Sequence, residues 1–138
     1  FRLKEWRLDD VKSLRDNGLR GEVVLNGVWM REFDGKTTRQ FIPGGATLKD
    51  QTQTYWREFR LPKGWENRRL MLELGGVSGA KAARLDGKPI ANFKGKAFIE
   101  YPIAPAKTAD GFHRLEVVAS GRIEDDVWLR SYPQSAAR

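Results

Sequence analysis

The chain has 138 residues, the length of one ordinary domain, with 40% hydrophobic residues and a formal net charge of +7. It holds no cysteine and one histidine, which excludes disulfide scaffolds, cysteine-based metal or redox sites and two-histidine metal motifs. No run approaches the ~18 apolar residues of a membrane helix, and no block of five or six like charges marks a nucleic-acid-binding tail.

In chain order, residues 1–20 read as an irregular lead-in or a short helix. Asp9 or Asp10 would cap that helix, Val11 and Leu14 would face inward, and Asn17-Gly18 would end it. From residue 21 the signal changes to short β-rich runs broken by glycine and proline. Val23 to Phe33 reads as strand, interrupted by a bulge or tight bend at Asn26-Gly27. Asp34-Gly35 is a hairpin turn, since both residues tolerate positive φ. Gln40-Phe41-Ile42 runs into Pro43-Gly44-Gly45, and Thr52 to Leu61 is stopped by Pro62. Arg68 to Leu74 places Leu70, Leu72 and Leu74 on one face and Arg69, Met71 and Glu73 on the other.

Gly75-Gly76 precedes a strand from Ala80 to Leu85, and Asp86-Gly87 gives a second hairpin signal before Lys88-Pro89-Ile90. Ala97 to Ile103 alternates, with Pro102 and Pro105 confining it to an edge. Leu115, Val117 and Ala119 alternate with Glu116 and Val118, and Val127 to Tyr132 is a last short strand. Seven or eight such strands at about ten-residue spacing describe an all-β, antiparallel sandwich. The domain spans 21–133 and leaves 134–138 as a tail. Trp29 and Trp128, each between apolar neighbours, are expected in the core, as are the other tryptophans on balance, with Trp56 and Trp65 the candidates for exposure.

Catalytic chemistry finds little footing. His113 is the only imidazole and lies in a strand pattern, and no G-x-S-x-G occurs. Glu124-Asp125-Asp126 offers three acids in a row, but neighbours on an extended chain point to opposite faces, a poor acid and nucleophile pair. The stretch 81–107 carries six basic residues against two acidic ones, which reads as a solvated mixed-charge face or as a site for an anionic ligand. Beginning at Phe1 with no charged-then-apolar leader, the chain is expected to be a processed protein or a segment of a larger one.

Several segments, taken in order, resemble one known domain. Leu25-Asn26-Gly27-Val28-Trp29 is similar to an "L-(N/D)-G-x-W" opening, and Ile42-Pro43-Gly44 to a "V-P-G" step. Tyr55-Trp56-Arg57-Glu58-Phe59-Arg60-Leu61-Pro62 with Trp65, then Arg69 through Leu74 with Gly76-Val77 and Ala80, continue the pattern. Leu85-Asp86-Gly87-Lys88 stands at an "N-G-K/E" turn, and Val127-Trp128-Leu129 at a closing "V-W-L". Together they resemble the N-terminal sugar-binding, galactose-binding-like jelly-roll domain of glycoside hydrolase family 2. In that family the catalytic glutamates lie on a separate (β/α)₈ barrel, and the loop before "V-W-L" is often longer and bears W…G-G-I-Y-R. Here Ser120 to Asp126 takes its place.

The resemblance implies a non-catalytic accessory module of a carbohydrate-active enzyme, packed on a catalytic domain in the parent chain and contributing to carbohydrate recognition. Such a module, cut from its partner, should show an exposed apolar patch. The alternative is an autonomous carbohydrate-binding module for acidic or neutral polysaccharides. It would stack sugar on Trp56 or Trp65 and hold acidic groups with Arg84 and Lys88. A hydrolase using Glu124, Asp125 or Asp126 is a third, weaker option. No cofactor, metal site, nucleic acid or membrane span is expected, and a secreted or periplasmic location is.

Overall fold

Alternation and turn chemistry decide where the strands lie. The computed structural model describes residues 14–16, 21–62, 64–65, 68–90, 93–101 and 111–132. These form eleven strands: β1 (Leu14–Asp16), β2 (Gly21–Val24), β3 (Gly27–Phe33), β4 (Lys36–Ile42), β5 (Gln53–Phe59), β6 (Arg69–Leu74), β7 (Ala80–Leu85), β8 (Lys88–Pro89), β9 (Ala97–Tyr101), β10 (His113–Ala119) and β11 (Val127–Tyr132). They make two antiparallel sheets packed as a sandwich, ordered β1-β2-β11-β6-β9 and β4-β3-β5-β10-β7-β8.

The inward stripes are the ones that period two selects. Leu70, Leu72 and Leu74 on β6 and Val127 and Leu129 on β11 face Leu115, Val117 and Ala119 on β10 and Tyr55 and Phe59 on β5. Trp29, Trp65, Leu25 and Ile123 belong to the same buried cluster. Both Asp-Gly pairs turn as expected, with Asp34 and Asp86 at φ 53° and Gly35 and Gly87 at φ 72° and 81°. β9 is an edge strand, as expected.

Three expectations change. Val23 to Phe33 is not one interrupted strand: β2 lies in the five-stranded sheet and β3 in the six-stranded one. The chain changes sheet at Leu25-Asn26, helped by Gly27 at φ 113°, a conformation side chains rarely adopt. The Asn26 side chain pins this crossing, donating to Asp126 Oδ1 at 2.8 Å and accepting from the Val127 amide at 2.9 Å. The short edge strands β1 and β8 and this split raise the strand number above seven or eight. Trp128 is not in the core. With Val127 and Leu129 turned inward, alternation puts it on the outer face, where it is partly buried.

Of the first twenty residues only Leu14–Asp16 is described, and it pairs with β2 as a strand. Asp9, Asp10, Val11 and Asn17-Gly18, the remaining positions of the short-helix alternative, lie outside the described residues, as does the 134–138 tail.

Candidate functional site

Residues directly opposite in register share a sheet face, so the pairings lay out the outer face of the six-stranded sheet in rows. One row runs Arg39, Met30, Trp56, Glu116, Arg84 across β4, β3, β5, β10 and β7. The next, toward the β3–β4 turn, runs Thr37, Glu32, Thr54, Val118. On the other side Phe41 stands opposite Val28.

Trp56 and Met30 form a small buried cluster of their own, with Val28 packed against it. Trp56 is 5% exposed, because Arg114 lies over its ring with the guanidinium carbon 3.9 Å from the centroid. Glu116 holds that guanidinium by hydrogen bonding to Arg114 Nε at 3.1 Å. The Trp56 indole N–H donates to Glu32 Oε1 at 3.0 Å, so the carboxylate is held by a buried side chain.

The four residues singled out for carbohydrate contact are not brought together. Trp65 is 0% exposed, packed in the core after the turn that its amide closes on the Pro62 carbonyl at 3.1 Å. Trp56 lies beneath Arg114. Neither ring offers the open face that stacking on a sugar needs. Arg84 shares a row with Trp56 but is separated from it by Glu116. Lys88 is exposed on the edge strand β8. Among the residues whose side chains are described, Phe41, at 69% exposure, is the one large hydrophobic left in solvent, so the anticipated apolar patch is represented there by a single ring beside Val28.

Other chemistry-bearing groups serve the scaffold. His113 is buried, stacked on Phe59, with Nδ1 2.7 Å from Asp86 Oδ2. Asp86 also accepts from the Arg114 amide at 2.8 Å, which ties the second Asp-Gly turn to β10. Asp126 holds the sheet crossing through Asn26, and Asp125 lies so close over Gly75 that a Cβ there would stand 2.7 Å from its own Cβ. Glu124, Asp125 and Asp126 are thus exposed turn-forming acids. Arg57 is 8% exposed and reaches the carbonyls of Asn26 and Val28 at 3.0 and 3.3 Å. Its Nε is buried with no partner among the described residues, and burial pushes the guanidinium down to about 10. Among the described residues no group of three or more His, Cys, Asp or Glu side chains is placed to hold a metal ion.

Beside these lies a cleft of about 270 Å³ that local sequence patterns do not reveal. Glu32, Phe33, Asp34, Gly35 and Thr37 form one side and Thr52, Gln53 and Thr54 the other. The Asp34-Gly35 turn does predict that Glu32 and Thr37 stand opposite each other. The alignment of Thr54 with them depends on how β5 meets β3.

No protein-family model and no curated protein matches this chain in sequence. Solved structures do match in fold. A β-glucuronidase from an uncultured Clostridium species superposes with a TM-score of 0.69 at 19% identity, covering 87% of this chain and 30% of that one. The β-D-glucuronidase of Dictyoglomus thermophilum gives 0.70 at 12% identity, over 87% and 29%. That of Faecalibacterium prausnitzii gives 0.65 at 16% identity, over 87% and 33%. The chain thus spans about a third or less of the solved chains it matches. What it shares with these β-glucuronidases is the fold of one part of each, an antiparallel two-sheet sandwich consistent with the sugar-binding-like domain of glycoside hydrolase family 2 that its sequence resembles.

Proposed function

We propose that the chain is the non-catalytic sandwich module of a carbohydrate-active enzyme of the glycoside hydrolase family 2 kind, packing on a catalytic domain and contributing to carbohydrate recognition. The observation that carries this reading is the asymmetry of coverage: 87% of this chain matches 30% of a β-glucuronidase. A sandwich in which Asp86, Asp126 and the single histidine are engaged in a turn and a sheet crossing fits an accessory role. The same reading puts the parent enzyme outside the cell or in the periplasm, which cell fractionation of the source organism checks.

The test begins with the reading frame that encodes the chain. It should continue into a glycosidase catalytic domain, and that domain, expressed separately, should co-elute with this one at equal stoichiometry. The sandwich alone should leave chromogenic β-glycosides intact. Hydrolysis by the purified sandwich, or a frame with no carbohydrate-active region, would overturn the proposal.

A further inference from the structure

We infer that the cleft beside the β3–β4 turn is a subsite for one neutral sugar ring, recognised through its vicinal hydroxyls. The inference rests on the carbohydrate-recognition part of the reading above and is narrower than it.

Three neighbouring strands set Thr37, Glu32 and Thr54 side by side on the outer face. Adjacent strands stand ~4.8 Å apart, so the row presents a hydroxyl, a carboxylate and a hydroxyl at steps of about that length. Asp34, held at φ 53° by the turn, and Thr52 stand at the rim. The wall is fixed by Gln53, which is buried: its amide donates to the Ala46 carbonyl at 2.6 Å and the Gly121 carbonyl at 2.9 Å, and its oxygen accepts from Arg31 Nε. Glu32 is oriented by the Trp56 indole at 3.0 Å and accepts no other hydrogen bond among the described residues, so its Oε2 is open to a donor. Glu32 and the Gln53 wall are therefore arranged before anything binds, which lowers the ordering cost of binding.

The lining chemistry selects the ligand. Two acidic residues and three threonines line the cleft beside the Gln53 wall, and no basic residue does. A carboxylate accepts from adjacent hydroxyls, and threonine hydroxyls both donate and accept, which together match a diol. A uronate or phosphate would meet Glu32 and Asp34 with like charge. At about 270 Å³ the cleft is smaller than the ~300–1,000 Å³ that drug-sized ligands occupy, which limits the occupant to a single ring.

The decisive experiment is an NMR titration of the isotope-labelled chain with glucose, galactose, mannose and glucuronate. Binding of at least one neutral hexose should shift the amides of residues 32–37 and 52–54, and glucuronate should shift them at least tenfold more weakly. Glu32→Gln keeps an acceptor for the Trp56 indole, Asp34→Asn keeps a side chain that tolerates positive φ, and Thr54→Val keeps the β-branch, so each should retain the native spectrum. Each should weaken hexose binding by about tenfold, the loss expected for one charged or well-placed hydrogen bond. Hexose-induced shifts confined to another region, or unchanged affinity in all three variants, would remove the subsite and leave carbohydrate recognition standing. Glucuronate binding here more tightly than any hexose would invert the assigned specificity and overturn the inference. Absence of shifts with every sugar would remove both the subsite and the carbohydrate role, while the packing role is judged by the co-elution test alone.

Discussion

The outer faces of the two sheets carry nearly the same motif with different results. On the six-stranded sheet Arg114 covers Trp56, and on the five-stranded sheet Arg130 covers Trp128 with its guanidinium carbon 4.8 Å from the ring. Each tryptophan has one apolar and one acidic neighbour across the sheet, Met30 and Glu116 for Trp56, Val24 and Glu73 for Trp128. Yet Trp56 is buried with its indole bonded to Glu32, while Trp128 stays partly exposed and makes no such bond among the described residues. The difference lies in what the arginine does besides covering. Arg114 pairs with Glu116, on its own strand, whereas Arg130 spans the sheet, pairing with Glu22 on β2 and Glu73 on β6. One face is roofed into a small second core; the other is laced by charge across three strands.

Tryptophan removal should separate them most. Trp56→Ala should cost about 3–5 kcal/mol, as for a buried large aromatic, and Trp128→Ala roughly 1–2, in proportion to its partial burial. Urea unfolding midpoints give both, and equal losses would erase the distinction between a core and a laced surface. Arg130→Ala should follow at about 1 kcal/mol, most of it vanishing in 1 M salt, because its ion pairs are partly solvated. Arg114→Ala should depend less on salt, since what it loses is mainly contact with the indole. Glu32→Gln, which keeps the indole bond, should change stability by about 0.5 kcal/mol or less.

Arg57 gives the sharpest contrast, since it lies within the fold rather than over a ring. Its guanidinium stays charged in folded and unfolded chains until about pH 10. Arg57→Met should therefore differ from the wild type by a constant amount from pH 5 to 9. Above about pH 10 the folded wild type releases a proton that the unfolded chain keeps, so its stability should rise relative to the variant. A difference that slopes between pH 5 and 9 would mean that a group titrating there is coupled to Arg57.

Much of this architecture could be read from residue order. Leu70, Leu72 and Leu74 announce their sheet, and two Asp-Gly pairs announce their turns, because both signals are local. What escaped is whatever depends on a neighbouring strand distant in sequence. Trp128 between two aliphatic residues looks like core until one sees that alternation must turn it away from them. Trp56 looks available for stacking because Arg114, which covers it, lies 58 positions further along. Asn26-Gly27 reads as a bend, and only the arrival of Asp126 and Val127 makes it a passage between layers. Of the cleft, the opposition of Glu32 and Thr37 follows from counting across a two-residue turn, whereas Thr54 is delivered by a strand pairing that no motif encodes.

The place of β11 between β2 and β6 has a consequence for synthesis on the ribosome. A nascent polypeptide that has not yet released Val127 to Tyr132 has a slot open in the middle of one layer, with the hydrogen-bonding edges of two earlier strands facing each other across it. Premature stop codons upstream of that point should therefore yield protease-sensitive, aggregation-prone products rather than a smaller working sandwich.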